Sequence, residues 1–365
     1  MGLAELFWIT GDEKYRRAFE HVWWSIVKLD RHNNGGFSSG EQAQGNPYHQ
    51  GAIETCCTIA WIASSVEMLR LTENSIVADE LELSTLNSVL GLHSPNGRWV
   101  TYNTPMDGTR KASAHDIVFQ ARAGSPELNC CSVNGARGLG MISDWALMAS
   151  RENPIVNWYG PSTMMTRLAS GIGLSLTQET DYPRDNKVHL RVAPEKPAKF
   201  PLKLRVPYWS QTTRARVNGK PVNGVTAGSY LVLERLWKRG DVVDIEFDFS
   251  FHFWAGEREC ANRVSIYRGP LLLAYDRRFN EMDPDQVPPL DAVALSGKKV
   301  APGDWLPPML LLEFTATSGR PVRLCDFASA GAGGSPYRSW LEVRGAVTTE
   351  FSRSNPLRTS RVNRG

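Results

Sequence analysis

The sequence predicts an α+β chain of more than one domain: helices over the first 150 residues, then short antiparallel strands forming a β-sandwich. Two observations carry this. Up to about Ala149 the apolar residues recur at helical spacing, and from Ile155 onward they alternate with polar ones, as in strands with one buried face. The second half also carries frequent turn signals, among them the hairpin pair Asn218-Gly219. A length of 365 residues suffices for two or three domains with cores of their own.

Taken in order, Leu3, Leu6 and Phe7 fall on one helical face before Thr10-Gly11-Asp12. A second helix covers residues 13–29, with Tyr15, Phe19, Val22, Trp23 and Ile26 at helical spacing, and Asn33-Asn34-Gly35-Gly36 stops it. Residues 37–50 are rich in Gly and Ser without periodicity and read as a loop that carries Glu41. Residues 52–71 are apolar on nearly all sides, the mark of a buried helix, and the helix dipole favours Glu54 near its start. Another helix covers 76–90. After the turn Ser94-Pro95-Asn96-Gly97, residues 99–102 read as a short strand. Residues 103–129 form a long irregular stretch of the kind that is often functional. The last helix covers 134–149 and leaves Cys130 and Cys131 just before its N-terminus, where the dipole lowers a thiol pKa.

In the second half, 189–192 and 203–206 read as strands, and Asn218-Gly219 joins 214–217 to 220–222. Residues 230–236 and 242–249 bracket a turn at Lys238-Arg239-Gly240-Asp241. His252, between Phe251 and Phe253, reads as a packed strand residue. The Pro-rich stretch 283–308 is a linker or wrapping loop, and 309–316 and 339–343 are strands of a small final unit. The Gly-rich loop 328–335 lacks the helix and lysine of a phosphate cradle. The expected division is a helical part over 1–150, a β-sandwich over 151–280, a small β unit over 281–350 and a disordered tail over 351–365.

Hydrophobic content of 42%, charged content of 22% and a net charge of +3 are those of an ordinary globular chain, and give no reason to expect nucleic acid or a membrane as partner. No run is apolar enough to span a bilayer, and no signal peptide is visible. Six cysteines stand at 56, 57, 130, 131, 260 and 325. Two adjacent pairs make a poor disulfide framework. The layout tilts towards a reducing compartment, slightly favouring the cytoplasm, or towards thiols held on a metal. The 12 tryptophans serve sugar clefts or core packing alike.

Glu54, Cys56, Cys130 and Cys131 make a four-ligand set suited to zinc, which takes thiolate sulfur and carboxylate oxygen in tetrahedral geometry. Each cysteine by itself reads first as a small core hydrophobe, and ExC with CC does not by spacing alone define a site. Glu41 by itself reads as a solvated loop carboxylate, and Tyr102 as a packed ring.

The segments Gly40-Glu41, Glu54-Thr55-Cys56 and Cys130-Cys131 with Asn134 and Arg137 resemble the β-L-arabinofuranosidase family of cysteine glycosidases, glycoside hydrolase family 127. The resemblance continues through Gln178-Glu179-Thr180-Asp181-Tyr182-Pro183, Leu204-Arg205-Val206-Pro207, Trp237-Lys238-Arg239-Gly240-Asp241 and Tyr267-Arg268-Gly269-Pro270-Leu271. It implies an (α/α)6 helical toroid followed by antiparallel β-sandwich domains, here a partial toroid whose first half is missing. It implies Zn2+ on Glu54, Cys56, Cys130 and Cys131, with Cys130 as nucleophile and Glu41 as general acid/base of a retaining hydrolysis. The implied substrate is a plant-type arabinose-containing glycan, and a homo-oligomer is open. Tyr102 matches a substrate-binding tyrosine, although the family's Y-x-N-P reads Tyr102-Asn103-Thr104-Pro105 here. Cys57 is a further thiol that competes for the ligand assignment. The missing half leaves the alternative of a non-catalytic carbohydrate-binding or zinc-stabilised structural protein, and implies weak activity and exposed apolar faces around Leu3, Phe7 and Trp24.

Overall fold

The computed structural model describes residues 1–38, 40–51, 53–97, 100–110, 130–150, 153–303 and 305–345. The expected tail over 351–365, Trp99 of the expected short strand and most of the irregular stretch, 111–129, lie outside the described residues. Of that strand, Val100 pairs with His93 in an isolated bridge.

The helices form where the apolar spacing places them. α1 (Gly2–Thr10) closes on Gly11, whose φ of 69° lets its N–H return to the Phe7 carbonyl. α2 (Glu13–Leu29) starts at Asp12, whose carboxylate accepts the Lys14 N–H. It buries Phe19, Trp23 and Val27. Trp23 stacks on Trp61 of α3 (Thr55–Thr72) with ring centroids 5.1 Å apart, and its Nε1–H donates to Ser65 at 2.9 Å. α4 (Ser75–Leu83) is capped by Asn74 and buried over all its residues. It runs on through a π-helical turn, Ser84–Val89, into α5 (Leu90–Leu92). At that junction Gly35 crosses so closely that a Cβ would lie 2.6 Å from the Ser84 nitrogen, which demands glycine.

The last helical stretch differs from expectation. α6 (Cys130–Gly140) begins four residues earlier than the spacing predicts, so the cysteine pair stands in its first turn rather than ahead of it. After the short α7 (Ile142–Trp145), residues expected to be helical form the strand Leu147–Ser150, which pairs with Asn153–Val156. Sheet pairing overrides the helical apolar spacing there.

Among the described residues three larger sheets follow. The first runs in the order Ser162–Arg167, Gly173–Thr180, Lys187–Pro194, Asp241–Glu246, Arg214–Val217, Lys220–Pro221, all antiparallel. The second holds Ser229–Trp237, Ala198–Val206, Asn153–Val156 and Leu147–Ser150, with one parallel pair. The turn at Lys238–Gly240 therefore carries the chain from one sheet to the other, not around a hairpin. The Asn218-Gly219 hairpin forms as expected, both residues having positive φ (49° and 79°). The third sheet joins Phe251–Ala255, Val264–Arg268 and Leu271–Asp276 to Pro321–Asp326, Leu311–Thr315, Lys298–Lys299 and Tyr337–Arg338. It draws on both sides of residue 280, and its edge pairs with Asp107–Gly108 from the helical half.

Buried charge joins the halves. Arg205, fully buried in its strand, pairs with Asp79 and Glu82 of α4, and the Tyr182 hydroxyl donates to Glu82 at 2.7 Å. Within the helical half Arg31, just past α2, pairs with Glu80 at 2.8 Å, and its guanidinium lies 4.9 Å from the centre of the Trp254 ring of the third sheet. Charges this deep persist only when paired. Leu3, Phe7 and Trp24, expected to be exposed, are half-buried; Leu6, Trp8, Ile9, Val22 and Leu29 are the exposed apolar side chains of α1 and α2. Among the described residues, no helix is long and apolar enough to cross a membrane.

Candidate active site

The start of α3 is fastened on two sides. The Glu54 N–H donates to the Ser38 carbonyl at 3.2 Å, and its carbonyl accepts the Thr58 N–H at 3.1 Å. The Thr55 N–H reaches the Tyr102 carbonyl at 2.9 Å and the Thr55 hydroxyl the Thr101 carbonyl at 2.7 Å. Residues 101–104 thus lie along the entry to α3. α6 comes against α3 through Gly138, where a Cβ would stand 2.4 Å from Ile59 Cδ1, and against the 100–104 segment through Gly135, where a Cβ would stand 2.8 Å from Val100. This close approach brings the first turn of α6 beside the first turn of α3. Both N-terminal dipoles favour negative charge at that place.

There Glu54, Cys56, Cys130 and Cys131 each offer one donor atom, all within 4.8 Å of one another. Cys56 Sγ lies 3.4 Å from Cys131 Sγ, and the Cys131 thiol faces Glu54 Oε1 at 3.8 Å. A tetrahedral ion with sulfur at about 2.3 Å and oxygen at about 2.1 Å needs its donors about 3.5–3.8 Å apart, so the set fits one metal ion. Burial grades the four: Glu54 and Cys131 are buried, Cys56 is half-buried, and Cys130 is exposed. Burial, with a hydrogen bond to Cys130, pushes the Cys56 thiol up to about 12, and burial with Cys56 beside it pushes Cys131 up as well. Thiols crowded in this way become thiolates only with a compensating positive charge.

Two neighbours orient these donors. Cys57, read from the sequence as a rival ligand, instead donates its thiol to Glu54 Oε2 at 2.6 Å, leaving Oε1 for the cluster; burial pushes Cys57 up to about 11. Their three-residue separation on α3 was the available signal. The Asn134 amide donates to Cys56 Sγ at 3.3 Å and to the Cys130 carbonyl at 3.2 Å, tying α6 to α3. Nothing in the spacing revealed that role.

Glu41 is exposed, on a loop where Gly40 and Glu41 both have positive φ (56° and 65°). The Tyr102 hydroxyl donates to Glu41 Oε1, and the Tyr102 carbonyl faces the Cys131 thiol at 3.9 Å. One buried residue therefore links the loop carboxylate to the cysteine cluster. Burial, then the neighbouring Glu41 carboxylate, raises the Tyr102 pKa and keeps its hydroxyl a donor. His252 stays apart, stacked on Tyr267 with centroids 5.2 Å apart, as its strand pattern predicts.

The family model described as the GH127 catalytic domain of β-L-arabinofuranosidase matches residues 1–144, and the one described as the GH127 middle domain matches residues 154–249. Among solved structures, a GH127 β-L-arabinofuranosidase from Geobacillus stearothermophilus T6 is similar at a TM-score of 0.79 and 21% identity, over 94% of this chain and 59% of that one. A GH127 β-arabinofuranosidase is similar at 0.79 and 21%, over 94% and 58%, and a glycoside hydrolase at 0.78 and 24%, over 94% and 64%. The chain thus spans about three fifths of the length of the structures it matches. No curated protein matches it. The fold is the one these structures share, mixed helix and largely antiparallel sheet, and with both family models matched in succession the chain belongs to glycoside hydrolase family 127.

Proposed function

We propose that this chain is a retaining glycoside hydrolase acting on β-L-arabinofuranosides or a related furanoside, with Cys130 as nucleophile, Glu41 as general acid/base and zinc as the ion suited to Glu54, Cys56, Cys130 and Cys131. The observation that carries this reading is the convergence of three thiols and a carboxylate in which Cys130 alone is exposed, while Tyr102 ties Glu41 to the same place. When bound, zinc keeps the thiols as thiolates at neutral pH. The Cys130 sulfur attacks the anomeric carbon, forming a C–S bond as the bond to the leaving oxygen breaks. Glu41 gives that oxygen its proton. Water then attacks the same carbon, Glu41 takes the proton from the water, and the C–S bond breaks. Two inversions retain configuration, by the logic of paired-carboxylate glycosidases. Tyr102 holds the Glu41 carboxyl in place through both steps.

On this reading residues 1–150 contribute helices to an (α/α)6 toroid, residues 151–280 supply the β-sandwich of the first two sheets apart from its edge strand Leu147–Ser150, and 281–350 belong to a further β unit. The substrate is an arabinose-containing glycan. The test is turnover of an aryl β-L-arabinofuranoside, with a haloacetamido arabinofuranoside as covalent probe and peptide mass mapping. Hydrolysis with retention and label on Cys130 supports the proposal. Label shared equally with Cys57, or hydrolysis undiminished in Cys130→Ser, overturns it.

A further inference from the structure

Away from the cysteine cluster, three cavities that share lining residues adjoin one another beside the third sheet. The first, about 710 Å³, is lined by Arg277, Arg278, Arg320 and Arg323. It shares Arg278 and Arg323 with the second, about 480 Å³. The second shares Trp305 and Gly333 with the third, about 530 Å³. Trp305 stands between the last two with 86% of its surface exposed, an unusual position for a large apolar ring. The third cavity reaches Thr101, next in the chain to Tyr102.

Among the charged side chains lining this groove arginines predominate: Arg110 joins the four of the first cavity. Among the described residues lining it, Glu281 is the single carboxylate. Three of its arginines have carboxylate partners: Arg277 with Asp283 at 3.5 Å, Arg278 with Asp276 at 3.1 Å and Arg323 with Glu313 at 2.8 Å. Arg110 donates to the carbonyls of Gly91, Phe327 and Ala328, while the guanidinium of the exposed Arg320 donates to Met282 Sδ at 3.7 Å and, among the described residues, to no carboxylate. A guanidinium without a carboxylate is a bidentate seat for one from outside. An exposed indole offers a flat apolar face to the C–H face of a sugar ring.

We propose that this groove is a second carbohydrate site, which takes an oligosaccharide carrying uronate carboxylates, with Arg320 pairing a carboxylate in the first cavity and Trp305 stacking a sugar further along the chain. The choice of a glycan among polyanions rests on the glycoside hydrolase reading; the groove and its charge do not. The site would hold an acidic chain outside the place where hydrolysis occurs.

The test is calorimetric titration of the full chain, as wild type and as Cys130→Ser, with a hexameric oligogalacturonide and with a neutral oligosaccharide of equal length. The expected result is binding of the acidic oligomer in both forms, weakened by salt and about tenfold or more by Arg320→Ala or Trp305→Ala, the scale of one hydrogen bond to a charged group. Aryl arabinofuranoside turnover should stay unchanged in those two variants, so loss of turnover and loss of binding are read separately. Equal affinity for the neutral oligomer overturns the proposal. So does equal binding of dextran sulfate with no effect of Trp305→Ala, which would mark a general polyanion surface. Self-association abolished by Trp305→Ala would make the groove an interface between copies, and would also overturn it.

Discussion

At the scale of single residues, the site depends on side chains that hold others. Tyr102 is the clearest case, since its hydroxyl joins Glu41 and its backbone joins the start of α3. Tyr102→Phe removes the first contact and keeps the second. Turnover should fall about tenfold or more through loss of alignment, with melting temperature and metal content unchanged. A fall in metal content would show that the hydroxyl supports the cluster rather than Glu41. Two histidines make a separate prediction about pH. His32 and His252 are buried, and burial pushes each imidazole from its ordinary 6.5 down to about 4. Between those values the unfolded chain binds protons that the folded chain does not. Stability is therefore full above 6.5 and is lost as pH falls towards 4, by roughly 3 kcal/mol per histidine at the limit. His252→Phe, which keeps a ring between Trp209 and Tyr267, should flatten this dependence in urea unfolding at pH 7 and pH 5. An unchanged slope would mean that His252 is not a source of the acid sensitivity.

At the scale of elements, the site exists because α6 can lie close to α3. Gly138→Ala puts a methyl where Ile59 and Val89 already stand. It should cost about 1–3 kcal/mol by overpacking and, by shifting α6, weaken metal retention in a chelator competition. Full retention would show that α6 adjusts without moving its first turn. The elements also show what sequence patterns convey. The bounds of α2 were legible, because Asp12 caps it and Asn33-Asn34-Gly35-Gly36 stops it. The strands were legible from alternation, and the hairpin from Asn218-Gly219. The start of α6 was not, since two cysteines and a serine carry no helical signal and the Asn134 bond to the Cys130 carbonyl is a contact, not a pattern. Nor was the crossing at Lys238–Gly240 legible, because a turn of that composition serves a hairpin equally well. Glu54, Cys56, Cys130 and Cys131 could be listed from residue type and family motif, but their convergence depends on two glycines whose close approach no periodicity records.

At the scale of the whole molecule, helices and sheets are held together by charge taken out of water. Arg205 joins its sheet to Asp79 and Glu82 of α4, and Arg31 with Glu80 joins α4 to the segment after α2, where apolar periodicity predicts only packing. Removing one partner there, as in Arg205→Met, leaves two uncompensated carboxylates and should cost about 3–5 kcal/mol in chemical unfolding. A loss under about 1 kcal/mol would mean that the network is dispensable. The cluster of Glu54, Cys56, Cys130 and Cys131 joins α3 to α6 beside the 101–104 segment, so binding of a metal there and folding should be linked. The most direct test of the account is X-ray absorption at the zinc edge on protein purified without chelator, with elemental analysis of the same sample. The predicted result is about one zinc per chain with three sulfurs near 2.3 Å and one oxygen near 2.1 Å, and loss of one sulfur in Cys131→Ser. A well-folded chain without metal, or a zinc held by nitrogen and oxygen alone, would contradict it.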